Sequence, residues 1–225
     1  MREMNKNIKI AVIGGGGRTG KFLVDRLLAE GHQVKLLLRN PETAFQNIPK
    51  NDRIVEIVKG DVLDYDRVTS LIEGCSAVIS TVGQRKGEPL VASRATSNIL
   101  KAMSENQGIP KPTRYILVAG LNVDTPFDRK SSETQAATEW MKTNFPLIHE
   151  DRQKAYEILA SSEVRWTLVR VPYILFTDEK GAVGISLLDS PGKKISASDI
   201  ADFLIAQLDD ETYIRKAPFI ADTAS

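Results

Sequence analysis

The sequence has few of the residues that build disulfides or metal centres. Its 225 residues include one cysteine, Cys75, and two histidines, His32 and His149. A single cysteine excludes an internal disulfide, and these three residues do not have the spacing of a zinc site. We therefore expect no metal centre, and a reducing compartment fits the composition best.

An excess of charge of one sign is also lacking. Lys and Arg number 30 against 29 Asp and Glu, which gives a formal net charge of +1. No long run of like charges suggests a tail that would attract nucleic acid or an anionic membrane. No apolar run approaches the ~20 residues that span a bilayer, and the polar start Met1–Asn7 is not a signal peptide. We expect a cytoplasmic protein with no nucleic-acid or membrane partner.

Internal repeats and low-complexity tracts are missing as well, which excludes a solenoid and argues against a long linker. A chain of this length can bury one large core, and α/β domains commonly reach it without dividing. We therefore expect a single domain over residues 1–225.

What the sequence does contain is an alternation of short Val- and Ile-rich runs with longer stretches of helical period. The predicted strands are Ile8–Ile13, Gln33–Leu38, Ile54–Val58, Ala77–Val82, Tyr115–Ala119, Trp166–Val171 and a short final Pro218–Ala221. Uninterrupted apolar strands joined by helices are typical of a sheet covered on both faces. The expected fold class is α/β, with a doubly wound, mainly parallel sheet and helices on both faces.

Helical periodicity and end signals place the helices between these strands. The predicted helices are Lys21–Glu30, Asp66–Glu73, Pro89–Asn106 with Pro89 in the first turn, Thr134–Asn144, Glu150–Ser162 and Ser198–Leu208 with Ser198 as N-cap. Two segments give no clear periodicity, Leu121–Ser132 and Ile174–Ile195. We expect ligand-site loops near 121–132 and 174–190, because irregular segments at strand ends commonly carry function.

A glycine-rich turn, Gly14-Gly15-Gly16-Gly17-Arg18-Thr19-Gly20, lies between the first strand and the first helix. Lacking a Cβ, Gly14 can form the tight turn, Gly17 can let the backbone approach a pyrophosphate, and Gly20 can let the helix pack closely. Free N–H groups at the helix start, from Arg18 and Thr19 onwards, would face the anion. The turn predicts a Rossmann-type dinucleotide site, with a merely structural tight turn as the alternative.

The residue at the end of the second strand indicates which dinucleotide is bound. NAD sites usually have Asp or Glu there, about 20 residues past the turn, to accept from the ribose 2′-hydroxyl. This chain has Arg39 instead, and Arg18 in the turn offers a second cation. A guanidinium pairs with a 2′-phosphate, so we predict that NADP(H) is preferred and NAD(H) possible. The alternative is that both arginines are solvated surface residues.

Together with the turn and Arg39, three further segments resemble the atypical short-chain dehydrogenase/reductases, and within them the NmrA-like branch that includes flavin/biliverdin-IXβ reductases. They are Gly60-Asp61-Val62, Ser80-Thr81-Val82-Gly83 and Trp166-Thr167-Leu168-Val169-Arg170-Val171-Pro172. The resemblance implies that Asp61 and Val62 contact the adenine; the alternative for Asp61 is that it caps the next helix. Thr81, Val82 and Gly83 are expected to line the cofactor at the strand ends.

The chain departs from this group at its catalytic motif. The Tyr-x-x-x-Lys pair is missing, and the strand expected to precede a catalytic serine ends Val118-Ala119-Gly120. Lys154 stands near the family lysine, with Glu150 four residues earlier, so an i,i+4 ion pair is the alternative to catalysis. The resemblance to flavin reductases implies that Tyr173, directly after Pro172, faces the substrate; packing at the strand end is the alternative.

These observations predict an NADPH-dependent oxidoreductase that passes a hydride to a small conjugated acceptor such as a flavin, quinone or enone. Flavin-type reductases lack the Tyr/Lys pair too, because hydride delivery mainly needs proximity and water can supply the proton. The alternative is a non-catalytic redox sensor of the NmrA-like type, which would act on a protein partner. A third interpretation, a sugar-nucleotide epimerase-like enzyme, fits least well, since that branch generally keeps Tyr-x-x-x-Lys.

Overall fold

The structure, a computed structural model, describes residues 8–44 and 55–224. Its strands are β1 (Lys9–Ile13), β2 (Gln33–Leu38), β3 (Val55–Lys59), β4 (Ala77–Ser80), β5 (Arg114–Gly120), β6 (Arg165–Val171), β7 (Tyr173–Leu175), β8 (Val183–Ser186), β9 (Lys194–Ser196) and β10 (Phe219–Asp222). Its helices are α1 (Arg18–Ala29), α2 (Pro41–Ala44), α3 (Tyr65–Ile72), α4 (Ala92–Glu105), α5 (Ser132–Asn144), α6 (Pro146–Ala160) and α7 (Ala197–Ala206). No helix in these ranges is long and apolar enough to cross a membrane.

The main sheet has eight strands in the order β3-β2-β1-β4-β5-β6-β10-β8. All neighbours are parallel except β10 and β8. The strand order reverses between β1 and β4, so the crossovers from β1 and from β4 lead in opposite directions and leave a crevice at the carboxyl ends of these strands. The predicted α/β fold is confirmed, and the predicted β2 has the bounds expected; Ile54, the expected start of β3, lies outside the described residues.

Two apolar clusters cover the two faces of the sheet. One joins Ile13 and Leu117 to α3, α4 and α6, and the other joins Val12 and Ile116 to α1 and α7. Neighbouring positions of a strand point to opposite faces. The uninterrupted apolar strands in the sequence thus reflect burial on both sides.

The six predicted helices begin between one and four residues from their predicted starts, and for two of them capping gives the reason. Helix α4 begins at Ala92 rather than Pro89, because the carboxylate of Asp151 accepts from the backbone N–H groups of Ala92 and Ser93. Helix α7 begins after Ser196, whose hydroxyl accepts from the N–H of Asp199 at 2.9 Å. Ser198, the predicted N-cap, therefore lies inside the helix.

The segment that gave no clear pattern contains three short strands. Strands β7 and β9 form a separate two-stranded parallel sheet, and β8 forms an antiparallel edge on β10. These pairings join residues far apart in the chain, so local periodicity could not reveal them. The expected irregular loop after β5 extends to Ser131, the N-cap of α5.

Candidate functional site

A cleft of about 900 Å³ lies at the carboxyl ends of the parallel strands. Its walls come from the turn after β1 and from the segments after β2, β3, β4 and β6, together with one face of α6. Carboxyl ends of parallel strands meet at one edge of a sheet, and a switch in strand order opens that edge. The sequence-predicted residues that line this cleft are Gly14, Gly17, Arg18, Thr19, Arg39, Asp61, Val62, Thr81, Val82 and Gly83.

The glycine turn has the backbone that its composition predicts. Gly14 has φ +84°, a conformation that glycine adopts without strain, and its carbonyl accepts from the N–H of Gly17 at 2.9 Å. A Cβ at Gly14 would lie 2.8 Å from the backbone carbon of Thr81. The segments that follow β1 and β4 approach each other so closely that only glycine fits at position 14.

The other two glycines of the motif have different surroundings. A Cβ at Gly20 would lie 2.0 Å from the carbonyl oxygen of Gly14, so Gly20 lets α1 pack on the turn. A Cβ at Gly17 would meet that same oxygen at 3.1 Å, and no other described atom lies within 4 Å. Open space beside Gly17 and the unblocked start of α1, which has no acidic residue in its first turn, fit a pyrophosphate.

Arg39 lies at one end of the cleft and is held by carboxylates. Its guanidinium donates to both oxygens of Glu88, at 2.8 and 3.0 Å, and its Nη1 is 3.8 Å from Asp61 Oδ2. The hydrogen bonds from Arg39 hold the pKa of Glu88 below its ordinary value. No local pattern in the sequence indicates Glu88, which is 49 positions away along the chain.

Asp61 does not cap the following helix. Its Oδ1 accepts from the N–H of Leu63 at 2.9 Å, whereas Asp64 is the N-cap of α3. The capping alternative is therefore wrong, and the carboxylate of Asp61 remains at the cleft wall. Beside it, the carbonyl of Val62 accepts from Asn98.

The second predicted cation, Arg18, does not join Arg39. Its guanidinium carbon lies 4.1 Å from the ring centroid of Phe176, which follows β7. Strands β2 and β6 are four positions apart in the sheet, roughly 19 Å at ordinary strand spacing. The cation–π contact thus directs Arg18 toward the β6 side of the cleft, away from the position expected for a 2′-phosphate.

The structure brings neither predicted catalytic residue into the cleft. Tyr173 is 73% exposed, while Ile174 and Phe176 line the cleft, because alternate residues of a strand face opposite sides. Lys154 is exposed on α6 and outside the cleft lining. Within the described residues it forms no ion pair with Glu150, so that alternative is wrong too.

The cleft-facing side of α6 instead carries a residue that the sequence analysis missed, Arg152. Ile148, Asp151, Arg152 and Ala155 share this side, whereas Lys154 is about 200° around the axis from Arg152. Arg152 Nη1 donates to Asn122 Oδ1 at 3.1 Å, and burial lowers the pKa of its guanidinium. This is its one hydrogen bond within the described residues, so this half-buried cation retains donors for a ligand.

A second hydrogen bond extends this contact behind the cleft. Asn122, on the loop after β5, joins His149 Nδ1 through its amide at 3.0 Å. Burial lowers the pKa of His149, the nearby Lys142 contributes in the same direction, and the neutral ring is favoured. Asn122 and the neutral His149 thus position Arg152 without adding a second positive charge beside it.

The fold and this cleft define a dinucleotide-binding protein of the Rossmann class. A sequence profile described as NAD(P)H-binding matches residues 14–211, from the glycine turn past α7, and the chain belongs to that family. Eugenol synthase 2 of Clarkia breweri is 36% identical over 88 residues, which are 36% of this chain and 28% of that protein. The chain spans less than half the length of the curated relatives it matches first.

Solved structures cover nearly the whole chain. A short-chain dehydrogenase/reductase from Veillonella parvula DSM 2008, in complex with NADP, has a TM-score of 0.76 at 19% identity and covers 97% of this chain and 95% of its own. The anaerobilin reductase ChuY from Escherichia coli O157:H7 has a TM-score of 0.75 at 16% identity, covering 95% and 97%. At these identities the likeness concerns the fold, and at the level of the fold the predicted resemblance to short-chain dehydrogenase/reductases is confirmed.

Proposed function

We propose that this protein is an NADPH-dependent oxidoreductase that transfers a hydride to a small conjugated acceptor such as a flavin, quinone or enone. The observation that carries the proposal is Arg152, a half-buried cation with unused donors in the cleft. Membership of a family described as NAD(P)H-binding supports the use of a reduced nicotinamide. The reductase names of its structural neighbours agree with it.

The residues of the cleft suggest a division of roles. When bound, the reduced nicotinamide supplies the hydride. The glycine turn and α1 would hold the pyrophosphate, with Asp61 and Val62 beside the adenine. At the other end Arg152 would stabilise the negative charge that develops on an acceptor oxygen or nitrogen, and water would supply the proton. Ile174 and Phe176 would give the acceptor an apolar surface and exclude water.

Turnover tests this proposal directly. Purified protein is mixed with NADPH and a panel of FMN, quinones and enones, and loss of the reduced nicotinamide absorbance is followed. We expect Arg152→Met to lower kcat by ~10²-fold, the usual effect of removing one charge-stabilising donor. Lys154→Met, which removes an exposed cation from the same helix, is the matched control and should leave kcat unchanged. Absence of turnover with every acceptor would favour the redox-sensor alternative.

The preference for NADP(H) is a separate part of the proposal. Arg39 at the end of β2 supports it, because a guanidinium there attracts a 2′-phosphate. A 2′-hydroxyl is bound better by a carboxylate, which this position lacks. Arg39→Asp should abolish or invert the preference. Equal dissociation constants for NADPH and NADH in the unmutated protein would contradict it.

A further inference from the structure

Arg39, the residue proposed to hold the 2′-phosphate, already has an anionic partner. Glu88 accepts from both terminal nitrogens of the guanidinium, Nη1 at 2.8 Å and Nη2 at 3.0 Å. This two-point geometry is the one in which a guanidinium also binds a phosphate. The carboxylate of Glu88 thus occupies the donors that a 2′-phosphate would need.

The Arg39–Glu88 pair also connects two walls of the cleft. Arg39 follows β2, while Glu88 belongs to the segment after β4, and β1 lies between these strands in the sheet. Two strand spacings amount to roughly 10 Å. The ion pair therefore crosses the carboxyl end of β1, where the glycine turn begins.

The segment that carries Glu88 is braced internally. The side-chain amide of Gln84 donates to the carbonyl oxygens of Arg85, Glu88 and Pro89, at 3.0, 2.9 and 3.2 Å. These bonds hold the backbone around Glu88 in a tight loop. The carboxylate is therefore presented to Arg39 by an ordered segment.

Two carboxylates and two guanidinium groups lie side by side at this end of the cleft, so their formal charges sum to zero. Asp61 lies 3.8 Å from Arg39, and Arg85 Nη1 lies 3.9 Å from Glu88 Oε1, so two carboxylates face two guanidinium groups. The side chains of Arg39 and Glu88 are 38% and 39% exposed. An ion pair this exposed is weak, so a phosphate dianion can displace the carboxylate, although it has to compete for Arg39.

We propose that Glu88 is a specificity-determining residue, which occupies Arg39 in the free protein and yields it to the 2′-phosphate of NADP(H). NAD(H), which carries a 2′-hydroxyl, leaves the pair intact. Glu88 therefore reduces the selection for NADP(H) below the level that Arg39 alone would give. This inference rests on the proposed role of Arg39 in cofactor binding.

The test uses two nucleotides that differ only in the 2′-phosphate, adenosine 2′,5′-bisphosphate and 5′-AMP, with affinities measured by calorimetry. We expect Glu88→Gln to tighten binding of the bisphosphate by roughly tenfold, since it removes both a competitor and a repelling charge. Binding of 5′-AMP should change less than about twofold, because it makes no use of Arg39. In an Arg39→Gln background, Glu88→Gln should lose most of its effect.

Glu42→Gln is the matched control. Glu42 pairs with Lys59 at 3.2 Å near the same strand end but does not line the cleft, so this change removes the same charge without touching Arg39. If Glu42→Gln tightened bisphosphate binding as much as Glu88→Gln does, the effect would come from net charge alone and the inference would be overturned. Unchanged or weaker bisphosphate binding in Glu88→Gln would overturn it as well, while leaving the cofactor site intact. Failure of the unmutated protein to bind bisphosphate, 5′-AMP and NADPH would overturn the proposed function itself.

Discussion

At the scale of single residues, the glycine turn contains two positions that look equivalent in sequence and differ in their surroundings. Gly20 is packed against the carbonyl of Gly14, whereas Gly17 borders open space in the cleft. A side chain at each position therefore meets a different obstacle. Mutation should separate the structural part of the motif from the part that binds a ligand.

We predict that Gly20→Ala destabilises the protein by about 2–4 kcal/mol, because its Cβ would lie 2.0 Å from backbone and force α1 to shift. Gly17→Val should keep most of the stability and abolish NADPH binding, since a branched side chain would fill space meant for pyrophosphate. Urea unfolding and calorimetry measure the two effects. Normal NADPH affinity in Gly17→Val would mean that the turn is only structural.

The position of Arg152 in the cleft could not be predicted from the sequence alone. Its cleft-facing side of α6 is marked by Ile148 and Ala155, four before and three after it, but such spacing also fits ordinary packing. Which side of a helix faces a cleft depends on its placement against the sheet, which is set by long-range contacts. The family resemblance places a lysine near Lys154, which is two positions from Arg152 and therefore on the opposite side of the helix.

At the scale of elements, the local patterns predicted most of the strands and some of their ends, such as both ends of β2, but not the antiparallel pairing of β8 or the separate β7–β9 sheet. Apolar runs identified β1, β2 and β4 because full burial on both faces leaves a continuous signal. The direction in which Tyr173 points depends on the pairing of β7 with β9, where Tyr173 lies opposite Lys194, 21 positions further along. The Arg39–Glu88 ion pair likewise joins residues that are 49 positions apart, so no local sequence pattern predicts it.

The alternation along β7 makes a prediction about the acceptor. Phe176→Ala should raise KM for the acceptor several-fold or more while leaving NADPH affinity within about twofold, because it removes an apolar surface worth about 1–3 kcal/mol. Tyr173→Ala, which truncates an exposed ring, should alter neither quantity. Steady-state kinetics with the best acceptor measure KM in both variants, and calorimetry measures their NADPH affinity. A larger effect at Tyr173 than at Phe176 would show that the strand face is assigned wrongly.

Helix α4 depends on a cap supplied by another helix. Val91 has no side-chain cap to offer, and Asp151 of α6 accepts from the N–H groups of Ala92 and Ser93 at 2.7 and 3.2 Å, and from the Ser93 hydroxyl. A buried carboxylate at a helix N-terminus satisfies free donors and complements the helix dipole. This contact also fixes the side of α6 that carries Arg152.

Asp151→Ala should therefore lower the free energy of unfolding by about 1–3 kcal/mol, since it leaves partly buried donors at the start of α4 without a protein partner. Asp151→Asn, which keeps one acceptor oxygen, should lose less. Glu150→Ala is the control, because that exposed neighbour should change stability by less than about 0.5 kcal/mol. Equal losses in the Asp151→Ala and Glu150→Ala variants, measured by urea unfolding, would contradict the capping role.

At the scale of the whole molecule, the reactivity of the buried thiol of Cys75 measures how often the core unfolds. It therefore also tests whether a ligand in the cleft stabilises the core. The thiol is fully buried among apolar residues between α3 and β4, and burial raises its pKa from 9.0 to about 11. At pH 8 that shift alone reduces the thiolate fraction by about 100-fold, and burial also blocks access. We expect a thiol reagent to react with the native protein only through unfolding.

Cofactor binding should then protect a residue that is outside the cofactor cleft. A ligand at 100 times its dissociation constant stabilises the native state by about 2.7 kcal/mol, which would slow labelling of Cys75 about 100-fold if the whole domain must open. NADPH should have this effect on the unmutated protein and none on Gly17→Val, which provides the control. Labelling whose rate rises steadily with urea from low concentration, with the dependence expected for global unfolding, would agree with the prediction. Rapid labelling that NADPH does not slow would show instead that Cys75 is reached by local opening, so that the cleft and this part of the core do not unfold as one unit.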